Sequence, residues 1–295
     1  MPKPSVNPES FSEPVRKLYK LTNPCTLCPR NCKVQRSRGE TGYCGLSDKP
    51  KVSSIGPHFG EESVLVGRGG SGTIFFAGCN LKCIFCQNFD ISHHLHGRQS
   101  SVEELAEAML NLQDNGCSNI NFVTPTHLAA PIAASIELAR KNGLTIPTVY
   151  NTGGYDCIET LKLLDGFIDI YMPDMKYSDP NTAKQLSDAP DYPDVNFTAV
   201  KEMHRQVGDL QLKAGLAQRG LLVRHLVLPN QLAGSFKTID FLAEEISTAT
   251  CINVMDQYRP CYKAAKYPQI NRYPNTKEIK EVIKYAKTKG LNIIN

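Results

Sequence analysis

Seven of the 11 cysteines in this 295-residue chain fall into two short runs. The first, CTLCPRNC with a later GYCG, carries Cys25, Cys28, Cys32 and Cys44. The second, GCNLKCIFCQN, carries Cys79, Cys83 and Cys86. Three thiolates so close in sequence can meet one metal centre only if the chain wraps around it as a loop, and Gly78 gives the backbone freedom for that bend. Three ligands on a four-iron cluster leave one iron without a protein thiolate, and an open coordination position is what a catalytic metal needs. The first run instead supplies four thiolates in a segment punctuated by Pro24, Pro29, Gly39, Gly42 and Gly45. A closed set of four sulfurs suits structural zinc and an auxiliary iron–sulfur cluster equally well.

The elements that must hold these groups are legible downstream. Residues 1–24 read as a polar arm with one helical stretch over 13–21, and residues 25–66 as a cysteine-rich, metal-binding segment with few periodic apolar positions. A core over 67–295 follows. The apolar run 72–77 predicts a buried strand leading into the second cysteine run. Ser101 and Glu104 form a capping box that opens a helix over 101–115. Strands are expected at 119–124, 147–151, 167–172, 220–228 and 251–255, with helices at 129–141, 156–164, 236–248 and 276–289. The stretch 179–216 reads as polar and helical, broken by Pro190 and Pro193. Six β-then-α steps predict parallel strands with right-handed crossovers, too few for a closed eight-stranded barrel. The expected fold is therefore α/β, a partial open (β/α)6 barrel.

In such a fold the site lies at the carboxyl ends of the strands. Those positions hold Thr124-Pro125-Thr126-His127, Asn151-Thr152, Asp174-Met175-Lys176 and Leu228-Pro229-Asn230. Arg224 and His225 lie inside the fifth strand, so at most one faces the lumen. An arginine there reads as a structural ion pair or as a partner for a carboxylate.

The Cys-x3-Cys-x-aromatic-Cys pattern, with Phe85 as the aromatic, resembles the cluster loop of radical S-adenosylmethionine (SAM) enzymes. The resemblance implies a [4Fe-4S] cluster whose fourth iron is chelated by the methionine end of SAM. One electron then cleaves the sulfonium, and a 5′-deoxyadenosyl radical abstracts hydrogen from substrate. It also implies Phe85 beside the adenine and Asn151 near the ribose hydroxyls. Asp174-Met175-Lys176 resembles the Asp-Leu-Lys element of glycyl-radical-enzyme activating enzymes, where the lysine meets the carboxylate of SAM; Arg224 is a second candidate for that charge. Many relatives carry Gly-Gly-Glu after the second strand to hold the amino group. This chain has Thr124 and Thr126 there, whose hydroxyls and nearby carbonyls are the remaining acceptors. From residue 25 onward the series of motifs is similar to homologues of pyruvate formate-lyase activating enzyme. That similarity implies an activase-like enzyme installing a glycyl radical on a partner enzyme, with flavodoxin or ferredoxin as electron donor. The alternatives are radical chemistry on a small molecule or peptide, and a non-catalytic iron–sulfur or zinc protein.

Composition sets outer limits. A hydrophobic fraction of 41% against 21% charged residues suits a globular chain. Its net charge of +4, from 33 basic and 29 acidic residues, is too mild and scattered to imply a nucleic-acid partner. No apolar run reaches the roughly 18–20 residues of a membrane span, so no membrane is expected. The first ten residues lack the basic-then-apolar order of a signal peptide, and the expected location is cytoplasmic, with reduced thiols. His93, His94 and His96 read as a solvated turn, the glycines of 67–72 as a flexible lead-in, and Cys261 as idle.

Overall fold

The computed structural model describes residues 7–294; the first six residues of the expected arm and Asn295 lie outside it. Among the described residues ten strands form one sheet system: β1 Lys51–His58, β2 Ser71–Phe76, β3 Arg98–Gln99, β4 Ile120–Val123, β5 Thr148–Thr152, β6 Ile170–Pro173, β7 Gln211–Lys213, β8 Leu216–Leu226, β9 Cys251–Met255 and β10 Asn292–Ile294. The strand order is β10-β9-β8-β6-β5-β4-β2-β1-β3, with β7 a hairpin partner of β8. From β2 to β10 every neighbouring pair on that path is parallel. Each parallel strand therefore lies beside the next one in sequence, as a singly wound barrel requires. Among the described residues the path does not close back on itself, so the barrel is open.

All six expected strands are present, and the sixth helix, Thr276–Thr288, delivers an additional parallel strand, β10. Three differences have local causes. β1 carries no strand signal because KVSSIGPH has one buried side chain, Val52, and so shows no apolar alternation; its pairing with β2 makes it a strand. The stretch 179–216 holds two helices, Pro180–Ser187 and Tyr192–Val207, then the β7 hairpin. β10 is three residues long, too short to leave a periodic signal. Helix Val102–Asp114 begins at the expected capping box, with Ser101 and Glu104 bonding reciprocally.

The outer face of the sheet is the larger core. Ile74, Phe122, Tyr171, Val223 and Ile252 are fully buried beneath the helices. The opposite, lumen face is plugged at one end by the short helix Ser63–Val66, whose Val64 and Leu65 pack with Val149, Ile170, Met172 and Leu222. The glycines before β2 are set by contact: a Cβ on Gly69 would lie 1.9 Å from the carbonyl oxygen of Gly116. No described helix is long and apolar enough to cross a membrane.

Close packing at that glycine makes a prediction. Gly69→Ala drives a methyl into backbone, and thermal unfolding should show a loss of about 2 kcal/mol or more.

Candidate active site

The second cysteine run forms a loop between the carboxyl end of β2 and the short helix Phe89–Ser92. Gly78 turns the chain at φ +80°, and its N–H donates to the Ile91 carbonyl. A Cβ there would sit 2.7 Å from the Cys44 carbonyl oxygen, so the loop can seat only on glycine. Each sulfur of the trio meets a polar partner. The Leu81 N–H donates to Cys79 Sγ at 3.3 Å, and the Ser187 hydroxyl donates to Cys83 Sγ at 3.0 Å. Cys86 Sγ lies 3.1 Å from Ser92 Oγ. Burial pushes the Cys79 thiol up to about 12, and Cys83 beside it acts in the same direction. Cys86 is raised by the same two causes. Buried thiols that repel one another's charge are stabilised as thiolates by a cation among them.

Phe85 stands in the loop against an apolar wall. Its ring meets Tyr258 edge-on at 5.6 Å and Tyr177 at 6.5 Å, in a cluster with Leu81, Tyr192 and Leu228. Tyr177 also bonds Ser187 at 2.7 Å, which fixes the hydroxyl that serves Cys83.

Beside the loop, the structure gathers four of the expected site residues into one chain. Lys176 Nζ donates to Asp174 Oδ2 at 2.6 Å, Arg224 Nε donates to Asp174 Oδ1 at 2.9 Å, and Arg224 Nη2 donates to Asn151 Oδ1 at 2.7 Å. Burial by itself raises an acid; here Arg224 and Lys176 outweigh it and hold Asp174 below the usual carboxylate range. Burial works against the Lys176 charge, but Asp174, then Cys83, keep its affinity for a proton raised. The backbone locks the chain further. Tyr192 Oη accepts the Lys176 N–H at 3.0 Å and lies 2.9 Å from the Asp174 carbonyl, which also receives Asn196 Nδ2.

Arg224 and His225 divide as strand alternation requires. His225 is fully buried on the other face, with Nδ1 2.7 Å from the Met175 carbonyl and Nε2 2.7 Å from Ser235 Oγ. Since a carbonyl only accepts, Nδ1 carries the proton and Nε2 accepts from serine. Burial lowers this imidazole to about 4, so it stays neutral.

The two threonines after β4 part company. Thr124 has φ +61° and joins β5 through its N–H on the Asn151 carbonyl. Thr126 is buried, donating to Asp156 Oδ1 at 2.8 Å and lying 2.9 Å from Thr152 Oγ1, which donates to Asp156 Oδ2. Its hydroxyl is committed to that network. His127, also buried, puts Nε2 on the Ala77 carbonyl at 2.9 Å, and burial lowers it to about 3.

The first cysteine run packs directly on this loop. Cys25, Cys28 and Cys44 are buried and Cys32 is half-buried. Burial pushes Cys28 up to about 12, with the other three cysteines adding to the rise. Arg36 donates to Cys44 Sγ at 3.1 Å and to the His127 carbonyl at 2.7 Å. Arg30 donates to the Asn80 carbonyl at 2.7 Å while stacking on Tyr43. Among the described residues, no three or more Cys, His, Asp or Glu converge to hold a single metal ion. His93 instead packs on Tyr262, ring centres 4.6 Å apart.

The sequence model of the radical SAM superfamily matches residues 73–214, which include the cluster loop and Asp174-Met175-Lys176 and end before Arg224. Uncharacterized protein MJ0674 of Methanocaldococcus jannaschii is 35% identical over 280 residues, covering 92% of this chain and 76% of that one. This chain belongs to the radical SAM superfamily. Uncharacterized protein MJ0808 of the same organism is 28% identical over 163 residues, 48% of this chain and 46% of its own. Among solved structures, Streptococcus suis SuiB bound to precursor peptide SuiA gives a TM-score of 0.48 at 12% identity, covering 73% of this chain and 46% of that one. HydG, a maturase of the [FeFe]-hydrogenase, gives 0.48 at 14%, covering 72% and 47%. The chain thus spans under half the length of these two solved proteins.

Radical SAM membership brings a [4Fe-4S] cluster and SAM as cofactors. The donor set fits them. A cube takes one thiolate per iron, so its ligands need not converge on one ion, and three soft sulfurs with hydroxyl and amide donors suit it. Lys176 is a buried ammonium available to a carboxylate. Ser187 and Tyr192 have no sequence signal, because each reaches the site only through tertiary contact; Ser92 and Asp156 lie within six residues of Cys86 and Thr152 but carry no motif that marks them.

Asp174→Asn leaves two buried cations without their counter-charge, and unfolding at neutral pH should lose about 3–5 kcal/mol. The pH course follows from the depressed acid. Its contribution is complete above about pH 4, the ordinary aspartate value, and vanishes as pH falls through the folded-state value. Denaturant titrations from pH 7 downward should show that loss in the natural chain and not in the variant.

Proposed function

We propose that this protein is an activase-like radical SAM enzyme that abstracts a hydrogen atom from a glycine of a partner enzyme. The observation that supports this best is the buried Asp174–Lys176–Arg224 chain beside the three-cysteine loop, built on the Asp-x-Lys element that resembles those of glycyl-radical activases. The cluster and SAM, when bound, supply one-electron cleavage of the sulfonium and hydrogen-atom abstraction.

The chain's own groups have distinct tasks in this reading. Cys79, Cys83 and Cys86 hold the cluster; the Leu81 N–H and the Ser187 hydroxyl, with Ser92 beside Cys86, offset negative charge on the sulfurs. Lys176 offers its ammonium to the SAM carboxylate. Asp174 keeps Lys176 charged and aimed, and Asn151 and Asp174 fix the guanidinium of Arg224. The apolar wall of Phe85, Tyr177 and Tyr258 keeps water from the reacting atoms and offers a surface to adenine. The open barrel leaves a lateral gap for a loop of a partner protein. Of the two second sites expected at Cys25, Cys28, Cys32 and Cys44, an iron–sulfur cluster with one thiolate per iron suits sulfurs that do not converge on one ion, and zinc does not; their segment braces the cluster loop. Flavodoxin or ferredoxin supplies the electron, and the enzyme works in the cytoplasm, with no nucleic acid or membrane partner.

Anaerobically reconstituted protein given dithionite and SAM should release 5′-deoxyadenosine. Alanine at Cys79, Cys83 or Cys86 should abolish release, and Lys176→Ala should weaken SAM binding by about 10–100-fold, the worth of one charge-assisted hydrogen bond. An intact cluster with SAM bound and no product would defeat the enzymatic reading. Incubation with candidate glycyl-radical enzymes, followed by EPR, tests the substrate. A glycyl doublet supports the activase role, and deuterium reaching 5′-deoxyadenosine from a peptide or small molecule instead overturns it.

A further inference from the structure

The barrel lumen holds polar groups that the reading above leaves without a task. On the strands around it, outward side chains are fully buried, whereas Phe75, Val123, Arg224 and Asn253 face the lumen and are half-buried. Asn121 and Asn151 on the same face are buried, so solvent reaches the lumen only in part, above the apolar floor made by Val64 and Leu65. The residues just before that floor helix are Glu61 and Glu62. The Glu61 side chain is 8% exposed, and Glu62 is 6% exposed.

Their surroundings are acceptor-rich. Glu62 Oε1 receives Asn253 Nδ2 at 3.0 Å, while its Oε2 is buried with no hydrogen-bond partner among the described residues. Asn121, on β4 and fully buried, gives Nδ2 to Ser71 at 3.4 Å and likewise leaves Oδ1 without a partner. Glu61 Oε1 is 3.4 Å from Nδ1 of His58, a half-exposed ring on β1. Burial raises the Glu61 carboxyl, against the pull of Arg224, His58 and Asn121, while Glu62 adds to the rise. Arg224 feels the charge of both glutamates, but its hydrogen bonds go to Asp174 and Asn151. Lys176 is bonded to Asp174 as well. Three carboxylates, Asp174, Glu61 and Glu62, thus outnumber the two permanent cations, each already bonded to Asp174, and His58 is the remaining basic group beside Glu61.

We propose that Glu61, Glu62 and Asn121 form a subsite in the lumen that takes a cationic group, an ammonium or guanidinium, of the substrate. Such a group only donates hydrogen bonds, and Glu62 Oε2 and Asn121 Oδ1 are buried acceptors without a donor among the described residues, in a region where carboxyl groups outnumber permanent cations. Buried acceptors without donors are costly, so the site is built for a donor that arrives with the ligand. A neutral hydroxyl satisfies fewer of these acceptors and leaves the charge in place, and an anion is repelled. The inference rests on the functional reading only in calling the guest part of a substrate.

The test uses full-length, cluster-reconstituted protein with SAM bound, titrated with n-butylammonium chloride and followed by thermal unfolding. The controls are n-butanol, its neutral isostere, and KCl at matched ionic strength. The midpoint should rise with n-butylammonium alone, and Glu62→Gln should weaken the apparent affinity about tenfold or more, as loss of a charge-assisted contact does. Glu61→Gln should act in the same direction and carries the test if the first variant does not fold. An equal response to the alcohol, no response to the ammonium, or a response that survives both substitutions overturns the subsite. SAM cleavage, assayed on the same preparation, keeps the two ideas separate. Cleavage without an ammonium response removes the subsite alone, and an ammonium response without cleavage removes the functional reading alone.

Discussion

Asp174 binds the strand ends into one object. Its carboxylate takes both Lys176 and Arg224, its N–H reaches β5 at Thr152, and its carbonyl receives Tyr192 and Asn196 from the helix that follows. Groups from β5, β6, β8 and the Tyr192–Val207 helix therefore move together or not at all. A buried carboxylate between two cations tolerates this because each charge is compensated and hydrogen-bonded; removing one partner strands the others in low dielectric. The geometry around the cluster loop inherits its rigidity from that knot, since Lys176 lies close enough to the cysteines to bias their charge.

The loop is braced from the other side by the N-terminal cysteine segment. The Cys44 carbonyl fills the space a side chain at position 78 would need. Arg36 reaches from Cys44 to the His127 carbonyl, and the His127 ring in turn holds the Ala77 carbonyl. Arg30 clamps Asn80. A loop carrying three buried thiols has little regular structure to stabilise it, so its precision comes from these long-range contacts. Loops that carry chemistry are commonly positioned by a rigid scaffold in this way.

Patterning made the architecture readable. Six apolar strands alternate with helices whose caps and stops are explicit, as at Ser101 and Glu104, and local signals of that kind survive without knowledge of neighbours. β1 and β10 leave no pattern of their own, because one has a single buried side chain and the other three residues; each exists through pairing with a strand outside its own stretch. Residue placement divides similarly. Position after a strand pointed to Asn151, Asp174 and Lys176, and alternation limited Arg224 and His225 to opposite faces. Thr126 occupies the same kind of position, yet its hydroxyl is drawn into a buried network by Asp156, thirty residues away.

By itself, the sequence determined the winding of the barrel and the three-thiol loop with its turning glycine, because periodicity, capping and ligand spacing are properties of short stretches. Only the tertiary structure decided which charges would face one another. Asp174 meets Arg224 across 50 residues, and Glu62 meets Asn253 across 191. Coulombic balance in a partly buried lumen depends on the sum of such encounters, and no local stretch of chain contains that sum.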